Sequence, residues 1–426
     1  MPQLADVPRG RELEDFVAAF LQSTGHFVEK NVEEANVLEL DIVATTYGDG
    51  VARRLFEVKE GTAQFSDIFK VLGWMTYLGI ERGAFVTARA SEHKPTEFFR
   101  SRCEQVGMDF IVIDDLDSAA SVFEAAGYGA VDETLHALWR YSMWVERNLM
   151  RALRRFARDN PSMQAPKEAL NYYSLINNGV FLATDTVDRI SKLYAAYQTH
   201  PRLTAGAARE LNGGAFDAET LGEEPLIREA LWYGRHLLLQ VCMYLEHRAR
   251  LSILKAAVDY LAEGGVVRDL GDGRIRIDFR AADLPQSFLN GFTKIGNQPR
   301  FELYPLFWQL FLWGWGGLLL SDRLPDDRAG LAAQSGLNEE DLDQALGAFD
   351  WLFPIDRGWI GQTPTAAYRF VKMMPWPFQG LGAWYRLMRA EVGGYEELLL
   401  RGQYTTSDLA NRHNTLVRVL DADFDF

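Results

Sequence analysis

The chain has 426 residues, 48% of them hydrophobic and 24% charged, which is too long for one ordinary core and lacks the long polar tracts of a disordered protein. A formal charge of −15 excludes broad, nonspecific coating of nucleic acid while leaving room for a local basic surface. With Cys103 and Cys242 as the only cysteines and no signal-like apolar run among the first residues, a cytoplasmic, reduced protein is expected rather than a secreted, disulfide-stapled one.

Residues 7–23 have the periodicity of an amphipathic helix, with Leu13, Phe16, Val17, Phe20 and Leu21 on one side, Asp6 as N-cap and Gly25 as the stop. Three strand-like runs follow near 26–34, 37–46 and 51–59, and Tyr-Gly-Asp-Gly at 47–50 makes the second and third a hairpin. Helical spacing returns over 65–80, then come a strand at Ala84–Thr87, a helix at about 92–106 and a strand at Phe110–Ile113. The order α-β-β-β-α-β-α-β closes near 130, so a first domain is expected over 1–130. It holds 12 Lys and Arg against 22 Asp and Glu, a balance that suits a cation site better than a polyanion surface.

Alternation along a strand puts Asp41 and Glu39 on one face of the second strand, and Glu57 and Lys59 on one face of the third. The hairpin brings Asp41, Glu57 and Lys59 side by side. Two carboxylates at that distance ionise together only around a cation, and hard oxygen ligands select Mg²⁺ or Mn²⁺. Glu39 and Glu60 read as flanking solvated charges, and Lys70, in the following helix, as a surface lysine more than a phosphate contact.

This pattern, a helix, an Asp on strand two and Glu-x-Lys on strand three, resembles the restriction-endonuclease-like PD-(D/E)XK nuclease superfamily over about residues 8–116. Gly10-Arg11-Glu12-Leu13-Glu14 at the start makes the Mrr-type enzymes the nearest flavour, and Leu40 stands where the superfamily's name has proline. The resemblance implies an α/β restriction-endonuclease-like domain in which Asp41 and Glu57 hold the metal, Lys59 orients or activates the attacking water, and Glu14 supports the site. It implies a magnesium-dependent endonuclease acting on DNA, in restriction or anti-phage defence, with a homodimer expected if both strands of a duplex are cut. The alternative is a nuclease-like scaffold that binds a protein partner through its helical region.

Beyond 130 the periodicity is almost wholly helical, over about 132–159, 166–198, 224–262, 303–320, 328–335, 339–350 and 380–400, so residues 131–426 are expected to form a mainly α-helical region. Arg140, Arg147, Arg151, Arg154 and Arg158 fall on one stripe of its first helix, opposite Leu138, Val145, Leu149, Ala152, Leu153 and Phe156, and are the candidate nucleic-acid contacts. Leu303–Ser321 carries no charge, but Pro305, Gln309, three glycines and central tryptophans make it a buried core helix rather than a membrane span. Val266–Phe279 reads as a hairpin around Gly-Asp-Gly. Leu331–Leu337 with Glu339–Phe349 resembles a helix-turn-helix, and Leu352–Gln362 would be its wing. Glu339, Glu340, Asp341 and Asp343 would repel phosphate, which assigns these winged-helix elements to packing or protein contact. The acidic-aromatic tail at 421–426 is a candidate segment for docking on a partner.

Overall fold

A computed structural model describes residues 11–353 except 35–37, 49, 90–95, 114–115, 178–185, 200–202, 212–236, 264–266, 270–274, 278–283, 318 and 320–323, together with 360–361 and 370–371. The chain divides into two compact units, the first built on Met1–Met143 and the second on Trp144–Ile176 and Asp185–Asp425. The division falls inside a long helix rather than at residue 130.

In the first unit, α1 (Arg11–Ser23) leads into β1 (Phe27–Glu34), β2 (Leu38–Tyr47) and β3 (Val51–Thr62). Then come α2 (Phe65–Leu78), β4 (Arg82–Arg89), α3 (Thr96–Glu104), β5 (Met108–Val112) and α4 (Leu116–Ala125). The five strands form one mixed sheet in sequence order, antiparallel from β1 to β3 and parallel from β3 to β5. Helices cover both faces, as parallel strands require. On one side Val43, Leu55, Phe85 and Phe110 meet Ile68, Val71 and Met75 of α2 and Phe99 and Cys103 of α3. On the other, Phe20 of α1 stacks on Phe123 of α4 at 4.6 Å, and Phe56 of β3 lies 5.5 Å from Tyr128. Gly83 lets α2 lie close on β4, since a Cβ there would meet Met75 Sδ at 2.6 Å and displace that side chain. Gly79, with φ +65°, ends α2 in a left-handed cap, and Ile80 N–H donates back to Met75 O at 2.9 Å.

The linking helix α5 (Glu133–Asp159) is amphipathic as its sequence predicts: Leu138, Val145, Leu149 and Leu153 are buried. Its first turns pack on α1, where His136 Nε2 donates to Phe16 O at 3.3 Å.

The second unit holds α6 (Ala165–Asn177), α7 (Thr186–Thr199), α8 (Leu203–Leu211), α9 (Leu237–Ala262), α10 (Gln286–Gly296), α11 (Tyr304–Gln309), α12 (Leu324–Ser335) and α13 (Leu342–Leu352). Short pairs join Val267–Asp269 to Ile275–Ile277 and Ile360–Gly361 to Phe370–Val371. Helix α9 is buried on nearly every side, and its charges are matched internally: Glu246 accepts from Thr204 N–H at 2.8 Å, capping α8, and Lys255 donates to Asp259 at 2.7 Å. Trp308 stacks on Phe349 at 3.8 Å and donates to Ala345 O at 2.7 Å, locking α11 to α13.

Three expectations change here. The stretch expected to be one core helix over 303–320 is buried but broken into a 3₁₀ turn (Phe301–Leu303), α11 and a π turn (Leu310–Gly314), and it ends where Gly316 and Gly317 both take φ +70°. Among the described residues no helix is long and apolar enough to cross a membrane. The run expected over 166–198 is two helices, α6 and α7. The strand Ile360–Gly361 pairs with Phe370–Val371 rather than closing a wing within Leu352–Gln362, because Leu352 still belongs to α13. Asp6, the helix expected at 380–400 and the tail at 421–426 lie outside the described residues.

Candidate active site

The β2–β3 ladder runs from Tyr47 paired with Val51 to Ile42 paired with Phe56, and stops one step before Asp41 would face Glu57. There Val58 N–H donates to the Asp41 Oδ2 carboxylate oxygen at 2.8 Å, so a side chain takes over from the main-chain partner. Asp41 and Glu57 therefore meet where the strands part. β3 is then irregular against β4 between Lys59 and Thr62, a bulge of the kind that re-aims side chains. Thr87 Oγ1, donating to Gly61 O at 2.6 Å, holds that bulge.

The electrostatics record the crowding. Burial first, then the Glu57 charge, lifts Asp41 from its ordinary 3.8 to about 7, with Glu14 of α1 adding to the rise and the Val58 hydrogen bond opposing it. Burial likewise raises Glu57, and the hydrogen bond from Lys70 opposes that rise. Glu14 and Glu57 thus both act on Asp41. Glu39 and Glu60 are exposed, in keeping with a solvated role.

Lysines compensate the acids. Lys59 is paired with Asp67, and Lys70 Nζ donates to Glu57 Oε1 at 2.9 Å. Asp67 was not singled out from the sequence, yet it is fixed twice, because its Oδ2 also accepts from Gln64 N–H at 2.9 Å at the start of α2. The Gln-Phe-Ser-Asp string at 64–67 carries that capping signal. Lys70 is an exposed lysine, as expected, that also bonds Glu57 and lies 4.0 Å above the Trp74 ring.

Among the described residues no group of three or more His, Cys, Asp or Glu side chains forms a metal cage. Asp41 and Glu57 nonetheless fit a divalent ion of the Mg²⁺ kind, which is bound by one or two carboxylates with water and substrate phosphate completing the shell. Both are hard oxygen donors whose ionisation is opposed first by burial, a cost that a bound cation would offset.

Comparison with known proteins gives no match: neither a family model, nor a curated protein, nor a solved structure resembles the chain.

The arginine stripe is divided. Arg140 is turned onto the Phe16 ring at 5.6 Å and Arg147 is half-buried, whereas Arg151, Arg154 and Arg158 are exposed and Arg158 pairs with Asp159 at 3.2 Å. In the second unit, α12 ends at Gly336 with φ +75°, a 3₁₀ turn covers Glu339–Asp341, and the buried face of α13 (Leu342, Ala345, Leu346, Phe349) is used for packing. Arg328 donates to Asp343 at 3.2 Å and to Glu339 O at 2.9 Å.

Proposed function

We propose that the first unit is a restriction-endonuclease-like nuclease that hydrolyses phosphodiester bonds, with DNA as substrate and Mg²⁺ or Mn²⁺ as cofactor. The observation that carries this reading is the pair Asp41 and Glu57, held where the β2–β3 ladder ends and both raised above their ordinary values by burial, with the Glu57 charge adding to the rise of Asp41. A structural ion pair would be selected for the opposite effect. Asp41 and Glu57 would hold the ion, which supplies charge neutralisation at the phosphate and a more acidic water. Asp41 Oδ2 is oriented by Val58 N–H, so one carboxylate is fixed before any ligand arrives. Lys59, positioned by Asp67, presents its ammonium beside the carboxylates and would orient the attacking water. Glu14 adds negative charge from α1 and sharpens the demand for a cation. The exposed arginines of α5 offer phosphate contacts, and the helical unit would position the nuclease on nucleic acid or on a partner.

One observation favours the rival reading, a non-catalytic scaffold of the same fold: Lys70 already neutralises Glu57. Calorimetric titration with Mn²⁺ separates the two. The nuclease reading expects saturable binding that is lost in Asp41→Ala and Glu57→Ala, together with DNA cleavage lost in those variants and in Lys59→Ala. Binding in none of these proteins would leave the scaffold.

A further inference from the structure

The face of α2 and α3 beside the carboxylates exposes large rings. Phe69 is 65% exposed, Tyr77 57% and Phe98 41%, whereas Ile68, Val71 and Met75 on the inner side of α2 are buried. Phe69 and Phe98 are not loose: Phe65 lies 5.9 Å from Phe69 and 5.8 Å from Phe98, and 5.6 Å from buried Phe99, which stacks on Phe110 at 5.4 Å. A chain of rings runs from the sheet to the surface and fixes the outermost ones. Between Phe69 and Tyr77, one turn from each, Gly73 lies within the continuous helix where a Cβ would meet nothing within 4 Å. Glycine there costs helix stability and no packing contact demands it, so it leaves a bare strip of backbone flanked by two rings.

Cations are stacked on this face. Lys70 lies 4.0 Å over Trp74 while holding Glu57, and the Arg102 guanidinium lies 5.5 Å over Phe98. The two helices of this face, Phe65–Leu78 and Thr96–Glu104, hold 3 Lys and Arg against 3 Asp and Glu, so they lack the acid excess of the first 130 residues as a whole, 12 against 22. Rings, a flat gap and cations together match a strand that carries both bases and phosphates; an apolar protein surface would have to bury the two stacked cations.

We infer that Phe69, Tyr77 and Phe98, with the gap at Gly73, form a stacking platform for the unpaired bases of a single-stranded nucleic acid, which Lys70 and Arg102 hold by its phosphates. This rests on the nuclease reading and deepens it, since the platform delivers a single strand to Asp41 and Glu57 through Lys70. Stacking on aromatic side chains tolerates every base, so recognition is independent of sequence.

The test uses the full chain in EDTA, so that binding is read without cleavage. Anisotropy of a labelled dT oligonucleotide is compared with that of an abasic strand of equal length. Wild type should favour the dT strand by roughly tenfold or more, and Phe69→Ala with Tyr77→Ala should lose about ten- to hundredfold and cease to tell the strands apart. Gly73→Ala should weaken dT binding while raising Tm by about 1–3 °C, a combination that a purely structural role for this face does not produce. Equal binding of the two strands by wild type overturns the platform. So does unchanged affinity in the ring variants, or a wild-type dimer that those variants dissociate, which would assign the face to a second copy. The two readings fail separately: duplex cleavage intact in the ring variants leaves the nuclease and removes the platform, and ring-dependent binding without cleavage in Mg²⁺ does the reverse.

Discussion

Asp41→Asn should stabilise the metal-free protein, by an amount that grows with pH. Folding raises the Asp41 carboxyl from 3.8 to about 7, so the native state holds this proton more tightly than the unfolded chain does. For a group shifted in this direction stability is highest in acid, falls as pH rises from 3.8 to about 7, and stays reduced above that. The whole displacement is worth roughly 4 kcal/mol at pH 8, and partial solvent screening brings it to about 2–4 kcal/mol. Near pH 5 only about 1–2 kcal/mol of it is felt, and near pH 3 almost none. Asparagine keeps an oxygen that can accept from Val58 N–H, the 2.8 Å bond of the wild type, while ending the repulsion with Glu57. Urea midpoints at constant m-value, measured in EDTA at pH 5 and pH 8 for both proteins, give the difference directly. Saturating Mg²⁺ at pH 8 should then close the gap by stabilising wild type alone. Equal midpoints at pH 8, or a gap that does not change with pH, would refute the reasoning.

Burial pushes His26 and His136 down to about 4, so both are neutral in the fold; the stability they confer is full above 6.5 and is lost as pH falls from 6.5 toward 4. The double variant His26→Gln, His136→Gln should flatten that acid limb of the denaturation midpoint, and an unaltered limb would count against the assignment. Replacing Arg147, Arg151, Arg154 and Arg158 by Ala should weaken nucleic-acid binding alike for all sequences and reduce the salt slope by about 0.7–0.9 per lost phosphate contact; an unchanged slope returns the stripe to solvent. Gly291→Ala should destabilise the second unit by about 3 kcal/mol or more, because its Cβ would meet Trp351 O at 1.9 Å where α10 crosses α13, and a Tm within a degree or so of wild type would show that the two backbones separate freely.

The hairpin and its carboxylates were legible because period-two alternation and a short glycine turn dictate both register and face: Ile42 opposite Phe56 carries Asp41 to Glu57. The amphipathic α1, α2 and α5 followed from the same kind of local rule. Helix α4 was not anticipated, since Leu116–Ala125 is rich in small residues and shows its apolar side only through Ala119 and Phe123 packed on the sheet. Helices α8 and α10 were missed as well, the first because Ala205, Ala207 and Ala208 gain their burial from α9 rather than from a visible stripe. Asp67 and the bond from Lys70 to Glu57 escaped because sequence spacing cannot show which residues of a following helix reach back across the sheet edge. The break at Leu310–Gly314 depends on glycines at 314, 316 and 317 whose φ only the fold determines.

The most direct test is cleavage of DNA by the purified full chain in Mg²⁺, with EDTA and the double variant Asp41→Ala, Glu57→Ala as controls. Cleavage by wild type in Mg²⁺ that is abolished by EDTA and by the double variant, with the variant still folded, is the predicted result. Full cleavage by the double variant, or none by wild type across single- and double-stranded DNA in Mg²⁺ and Mn²⁺, would contradict it.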